Sequence, residues 1–106
     1  MQGRLLPKYK GNYQAHPIGY WQDEFKYASN LGFDCIEFIL DYDLANSNPL
    51  MTESGLEEIS NLSKKNNVLV RSICADYFME SPLFLSDLNK QKKNLQTLKT
   101  LILNAC

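Results

Sequence analysis

The stretch Leu31-Gly32-Phe33-Asp34-Cys35-Ile36-Glu37-Phe38-Ile39-Leu40-Asp41 decides the fold predicted for this chain. Its glycine can end a helix in the left-handed conformation, and the apolar run after it is typical of a buried parallel strand. Side chains alternate along a strand. The two faces here are Cys35, Glu37, Ile39 and Asp41 on one side and Ile36, Phe38 and Leu40 on the other. The wholly apolar face should meet the helices, which turns Glu37 to the opposite side.

Strands and helices alternate outward from this stretch. Apolar spacing predicts helices over 20–31, 53–66 and 86–105, and β-prone runs predict strands over 2–6, 34–40 and 68–74. We expect Thr52 or Ser54 to cap the second helix and Ser86 the third, with Gly32 and Asn67 at left-handed helix ends. The packing stripe expected on the last helix is Leu88, Leu95, Leu98, Leu101, Ile102 and Ala105.

The predicted fold class is therefore α/β, with three consecutive βα units in a single domain over residues 1–106. Right-handed crossovers give a parallel sheet in the order 1-2-3 with helices on one face. The outer edges of such a sheet are open to pairing with another chain, so a homo-oligomer formed through sheet edges is one expectation.

Composition excludes several classes of protein. The chain has 44% hydrophobic and 22% charged residues and a net charge of −1, which is typical of a globular domain without a strong attraction to nucleic acid or anionic membrane. Its apolar runs are shorter than the roughly 20 residues of a membrane span, and the opening residues do not resemble a signal peptide. Three distant cysteines indicate free thiols, so we expect a cytoplasmic protein.

Glu37 is the first candidate site residue, because a carboxylate on a strand must be paired, hydrogen-bonded or neutral when buried. Arg4, near the end of the neighbouring predicted strand, is its natural partner. The two residues form either an ion pair within the core or a pair that contacts a ligand, and the sequence leaves both possibilities open.

Asp76 is the second candidate, since it follows the strand at 68–74 at the end where parallel sheets bind ligands. Asp41 should lie at the same edge. On the strand at 68–74, Ser72 and Cys74 share the parity of Asp76, although Arg71 interrupts the alternation. The alternative for Asp76 is a helix-capping or turn carboxylate.

The long loop over 7–19 carries the third candidate, His16, which is the only histidine of the chain. A surface or packing role is its alternative. Aromatic residues of this region are suited to stacking on a sugar, with core packing as the alternative for Trp21. They are Tyr9, Tyr13, Tyr20 and Trp21. The sequence contains neither a complete metal-ligand set nor a glycine-rich nucleotide-binding motif.

Several segments in this order resemble a known family. They are Met1-Gln2-Gly3-Arg4-Leu5, Trp21-Gln22-Asp23-Glu24-Phe25, Leu31 to Glu37, Asn48-Pro49-Leu50 and Ser72-Ile73-Cys74-Ala75-Asp76-Tyr77-Phe78. Together they resemble the opening of a sugar phosphate isomerase/epimerase, a xylose isomerase-like TIM barrel. The resemblance implies that the chain is the N-terminal portion of an eight-stranded barrel, an incomplete domain or fragment of three βα units.

The resemblance also implies a function in carbohydrate metabolism. Such enzymes hold a divalent metal (Mn, Mg, Co or Zn) on later strands and abstract a proton beside a carbonyl group. No metal ligand is expected in this chain, which would instead supply the wall that contacts a sugar or sugar phosphate. The residues to which this role is transferred are Arg4, Glu37 and Asp76, with His16 added from its loop position.

Two other functions remain open. One is a metal-dependent phosphodiesterase or apurinic endonuclease-like member of the same superfamily, which the slightly acidic charge disfavours. The other is a non-catalytic α/β module that associates with a second copy through its sheet edges. Catalysis by the isolated chain is not implied, because the strands expected to carry the metal are not among these three units.

Overall fold

The computed structural model describes residues 5–84 and 87–106. This part of the chain contains two parallel strands and four α-helices. In chain order these elements are α1 (Asp23–Asn30), β1 (Cys35–Ile39), α2 (Glu53–Asn66), β2 (Leu69–Cys74), α3 (Tyr77–Glu80) and α4 (Leu88–Ala105), with 3₁₀ turns at Ala45–Ser47 and Pro49–Met51. The α/β class is confirmed. The helix predicted over 53–66 matches α2, and both described strands lie within their predicted ranges.

The described sheet has two strands, β1 and β2, rather than three in the order 1-2-3. Leu5 and Leu6 were predicted to end a first strand, but they lie in a turn and a bend, and residues 2–4 of that prediction lie outside the described residues. Leu6 is buried and Leu5 packs against the core. The apolar residues that predicted a strand therefore contribute to core packing, and Pro7 after them lacks a backbone N–H for a ladder.

A β-bulge at Arg71 accounts for the interrupted alternation of polar and apolar side chains along β2. Ile36 pairs with Val70 and Glu37 with Ser72, so Arg71 is an extra residue on β2 without a partner on β1. This β-bulge restores the alternation on either side of it. Ser72 lies beside Glu37, while Val70 and Ile73 pack against the hydrophobic core.

Residues in the left-handed conformation follow α1 and α2, as predicted. Gly32, with φ +82°, follows α1, and the Gly32 and Phe33 amides donate to the Ser29 and Ala28 carbonyls in a Schellman arrangement. Asn67, with φ 54°, ends α2. Of the two predicted caps for α2, Thr52 accepts the Gly55 N–H.

The core lies between the apolar face of β1 and the helices α1 and α2. Its fully buried members include Phe25, Ala28, Leu40 and Val68, and Phe38 and Ile36 of β1 are nearly as buried. Phe38 packs edge-on against Trp21, with ring centroids 5.4 Å apart. Glu37, between two core residues in the sequence, consequently points to the other face of the sheet.

The stripe predicted for α4 is wrong in most of its members. Leu101 is buried, but Leu88, Leu95 and Ile102 are exposed, and Asn94 is the most buried residue of the helix at 1% exposure. The Ser86 cap lies outside the described residues, and the side chain that caps α4 is Asp87, which accepts the Lys90 N–H.

Asn94 is buried because every polar group of its amide has a partner. Its Oδ1 accepts hydrogen bonds from Tyr77 Oη and Ser81 Oγ at 3.1 and 3.0 Å. Its Nδ2 donates to the Ser81 and Pro82 carbonyls, each at 3.0 Å. The amide therefore connects α4 to α3 and to the turn after it, and an apolar side chain at this position would lose all four hydrogen bonds.

We predict that Asn94→Ala lowers the free energy of unfolding by about 2–3 kcal/mol, because it removes four hydrogen bonds, one of them to the hydroxyl of the buried Tyr77. Urea denaturation measures the change. The matched control is Asn89→Ala on the same helix, where the side chain is exposed. An equal and small effect of both substitutions would contradict the role given to Asn94.

Candidate binding site at the strand ends

Glu37 and Ser72 form the centre of the polar sheet face. They are register partners on β1 and β2, and Ser72 Oγ donates to Glu37 Oε2 at 2.5 Å. This distance is typical of a hydrogen bond to an ionised carboxylate. Glu37 is half-buried, while Ser72 is exposed, so the pair faces open space rather than the core. Arg4, the partner predicted for Glu37, lies outside the described residues.

Asp76 lies just beyond the carboxyl end of β2, immediately before α3. Its backbone occupies the capping position of that helix, but its carboxylate makes no capping hydrogen bond. Instead Oδ1 accepts from Cys74 Sγ and Oδ2 accepts from Gln14 Nε2, both at 3.2 Å. The helix-capping alternative therefore does not describe this side chain, which is held by β2 and by the first loop.

The Cys74 thiol serves as a hydrogen-bond donor at this site. Burial, followed by the neighbouring Asp76 and Glu37 carboxylates, raises its pKa to about 11. The thiol is therefore protonated at neutral pH, and a nucleophilic role is disfavoured.

Asp41 connects the end of β1 to the first loop. Its Oδ2 accepts the His16 backbone N–H at 2.6 Å. Burial raises the pKa of Asp41; the His16 N–H opposes this change, and the Asp76 and Asp43 carboxylates add to it. Asp41 and Asp76 follow strand ends that are joined to each other, since Ile39 pairs with Cys74 and the Tyr77 N–H donates to the Leu40 carbonyl at 2.9 Å. The two carboxylates therefore lie at the same edge of the sheet, as the sequence predicts.

His16 is buried rather than exposed on its loop. Only 7% of its surface is accessible, and its ring lies 5.4 Å from Phe38 and 6.0 Å from Trp21, measured between centroids. Burial lowers its pKa to about 4, so the imidazole is neutral at pH 7. The packing role that the sequence leaves open thus accounts for its position, and a binding role would involve the neutral ring.

Gln14 and Glu24 were not identified from the sequence. Gln14 has no pattern around it that predicts a contact with Asp76, 62 residues away. Glu24 suits the first turn of α1 by charge, yet it is 5% exposed and, among the described residues, its oxygens have no hydrogen-bond partner. Burial raises the pKa of Glu24, with a partly opposing effect of the Leu5 backbone.

The described residues do not fit the divalent metal that the family resemblance implies. Over residues 5–84 and 87–106, no three His, Cys, Asp or Glu side chains are grouped so that they could hold a metal ion.

The arrangement is suited to binding a small hydroxylated molecule. Carboxylates accept hydrogen bonds from hydroxyl groups, and Ser72 and Gln14 hold two of them in defined orientations. Asp41 and Asp76 follow the carboxyl ends of the parallel strands, where open α/β sheets bind ligands, and Glu37 lies on the sheet face within β1.

Comparison of the chain with protein-family models, curated proteins and solved structures finds no match. Among the described residues, no helix combines the length and apolar character needed to cross a membrane.

We predict that His16 makes stability fall between about pH 6.5 and pH 4. Its pKa is lowered on folding from 6.5 to about 4, so only the unfolded chain takes up a proton in this window. The stabilisation is fully present above pH 6.5 and is lost as the pH falls, with a limit of about 3 kcal/mol. Urea denaturation of the native chain and of His16→Gln should differ in slope over this range.

The comparison with His16→Gln is needed because the pKa values of Asp41 and Glu24 are raised in the folded chain. These two carboxyls therefore increase the stability as the pH falls, which opposes the effect of His16. As the single histidine, His16 also gives one imidazole NMR signal to titrate. A midpoint near pH 6.5 would contradict the burial of this ring.

Proposed function

We propose that this chain supplies the substrate-side wall of a divalent-metal-dependent sugar or sugar-phosphate isomerase or epimerase, as the N-terminal part of a xylose isomerase-like TIM barrel. The observation that supports this proposal most strongly is the polar face shared by β1 and β2. Its carboxylates, Glu37 and Asp76, are each held by a hydrogen-bond donor from another element. Oriented acceptors at strand ends are what a polyhydroxylated substrate requires.

Glu37 is assigned to a substrate hydroxyl. Ser72 occupies Oε2, and the carboxylate accepts a substrate hydroxyl alongside this bond. The role is positioning rather than proton abstraction, since an acceptor held on a sheet restricts the substrate to one orientation. Arg4, if paired with Glu37 as predicted, would contribute to the same wall.

Asp76 is assigned to a second hydroxyl further along the edge. Its orientation depends on Gln14 of the first loop and on the protonated Cys74 thiol. The catalytic base and the metal belong, in this proposal, to strands that the resemblance places later in the barrel. The three cysteines are free thiols, which is compatible with the proposed cytoplasmic location.

We predict that Glu37→Gln weakens binding of a sugar or sugar-phosphate ligand by about tenfold or more, because it removes a charged acceptor. Ligand-detected NMR titration with pentoses, hexoses and their phosphates measures the affinity. The matched control is Glu57→Gln, an exposed carboxylate on α2. The thermal unfolding midpoint of Glu37→Gln should change little.

Unchanged affinity combined with a lower unfolding midpoint would assign Glu37 to a core ion pair and contradict the proposal. Failure of the chain to bind any of these compounds would also contradict it. Ketose–aldose exchange with added Mn²⁺, Mg²⁺ or Co²⁺ then tests the reaction class in any form of the protein that carries the later strands.

The second candidate function is a non-catalytic module that associates with another copy of itself. The observation that favours it is an exposed apolar stripe on α4, formed by Leu88, Leu95 and Ile102 at seven-residue spacing. Sheet-edge pairing is less favoured, because the bulge at Arg71 places an unpaired residue and a charge on β2. Self-association would therefore use the helix rather than the sheet edge.

A further inference from the structure

Glu24 is a buried carboxylate that the proposed function does not use. It lies in the first turn of α1, and only 5% of its surface is accessible. Neither of its oxygens forms a hydrogen bond with a group in residues 5–84 or 87–106. A carboxyl group in such surroundings favours its neutral form, because the charged form has lost its hydration without gaining a partner. Ionisation of Glu24 therefore opposes the packing that encloses it.

The first loop, residues 7–19, contributes to that packing. Ala15, His16 and Pro17 line a cavity of about 20 Å³ together with Glu24 and Trp21. This volume is enough for about one water molecule, which does not replace the several hydrogen bonds that a carboxylate accepts in bulk water. Movement of Ala15 to Pro17 away from α1 would open the cavity and hydrate Glu24.

The same part of the loop is joined to the strand ends. The His16 N–H donates to Asp41, and the Gln14 side chain donates to Asp76. A long loop opens at a lower free-energy cost than the helices and strands of a core. Local opening of the loop is therefore a less costly way to hydrate an ionised Glu24 than unfolding of the whole chain.

We infer that Glu24 is a pH-sensitive switch for the first loop: its neutral carboxyl group permits Ala15 to Pro17 to pack on α1, and its ionisation favours their release. Release would also withdraw Gln14 from Asp76 and so change the strand-end site. That consequence for ligand binding rests on the proposed function, whereas the switch itself does not.

Other titratable groups act on the same loop. His16 and Glu37 line the cavity with Glu24. Burial lowers the pKa of His16 to about 4, so protonation of its ring favours the open loop at low pH. Burial raises the pKa of Asp41, which accepts the His16 N–H. An experiment on Glu24 must therefore separate its titration from those of His16 and Asp41.

The direction of the Glu24 effect follows from its pKa. Burial raises this pKa above the ordinary value of 4.5, and the Leu5 backbone and the positive charge of the amino terminus oppose the change in part. The contribution of Glu24 to loop closure is therefore fully present below pH 4.5 and is lost as the pH rises through the raised pKa. Glu24→Gln has nearly the same shape and does not ionise, so it should keep the loop closed at higher pH.

Amide hydrogen exchange at His16 in the native chain and in Glu24→Gln tests this inference between about pH 4 and pH 8. Protection is corrected for the intrinsic exchange rate at each pH. The ratio of the protection in Glu24→Gln to that in the native chain should rise with pH, by about tenfold for a pKa raised by one unit. His16 and Asp41 titrate in both chains, so their contributions cancel in the ratio. Glu24→Met, which is apolar and of similar length, should give the same rise.

Two controls accompany this measurement. Asp23→Asn replaces the exposed carboxylate next to Glu24 in the same turn of α1, and its protection ratio should not rise with pH. Low concentrations of urea distinguish loop opening from unfolding of the chain. Exchange at His16 should be almost insensitive to urea, because opening of the loop exposes little surface.

A ratio that stays constant with pH in both Glu24 variants would overturn the inference. An equal rise in Asp23→Asn would also overturn it, since the effect would then belong to the charge at the start of α1. The third contrary result is an exchange rate at His16 that increases with urea as global unfolding does. These measurements use no ligand, so the switch and the Glu37-dependent binding of the proposed function can fail separately.

Discussion

The hydrogen bond from the His16 backbone to Asp41 is the constraint on which the position of the first loop, and with it the strand-end site, depends. It joins the middle of a long loop to the end of β1 over 2.6 Å. On one side of this bond, Gln14 reaches Asp76 at the strand ends. On the other side, His16 and Trp21 pack against Phe38 in the core. Because the acceptor is a half-buried carboxylate, the bond is stronger than an exposed one between neutral groups.

The two faces of β1 differ in polarity, and this difference determines the environment of the His16–Asp41 hydrogen bond. Phe38 and Ile36 point into the helices and anchor the strand, so Glu37 between them must face the other way. The bulge at Arg71 maintains this separation on β2, where it brings Ser72 opposite Glu37 and keeps Val70 and Ile73 on the core side. A single extra residue thus decides which side chain of β2 lies beside the half-buried Glu37 carboxylate.

Local sequence patterns predicted several helix and strand spans and helix ends. Polar contacts between residues distant in the sequence could not be predicted from such patterns. The span of α2, its Thr52 cap and the left-handed Gly32 and Asn67 follow from short-range rules that act within a few residues. The predictions of the first strand and of the α4 stripe were wrong, because the spacing of apolar residues does not show which other element they pack against. Asn94 is buried because carbonyls and hydroxyls from the preceding turn surround it, and Gly55 is required because a Cβ there would lie 2.4 Å from Pro49. Likewise, the carboxylates of the site were identified from strand parity, whereas the contact of Gln14 with Asp76 depends on how the first loop folds back.

Amide hydrogen exchange at His16 tests the central claim most directly. If Asp41 holds the first loop, the His16 amide is protected in the native chain and exchanges much faster in Asp41→Ala, together with its neighbours in the loop. Asp43→Ala, which removes an exposed carboxylate from the same region, should leave that protection unchanged. A His16 amide that exchanges as fast in the native chain as in Asp41→Ala would contradict the account.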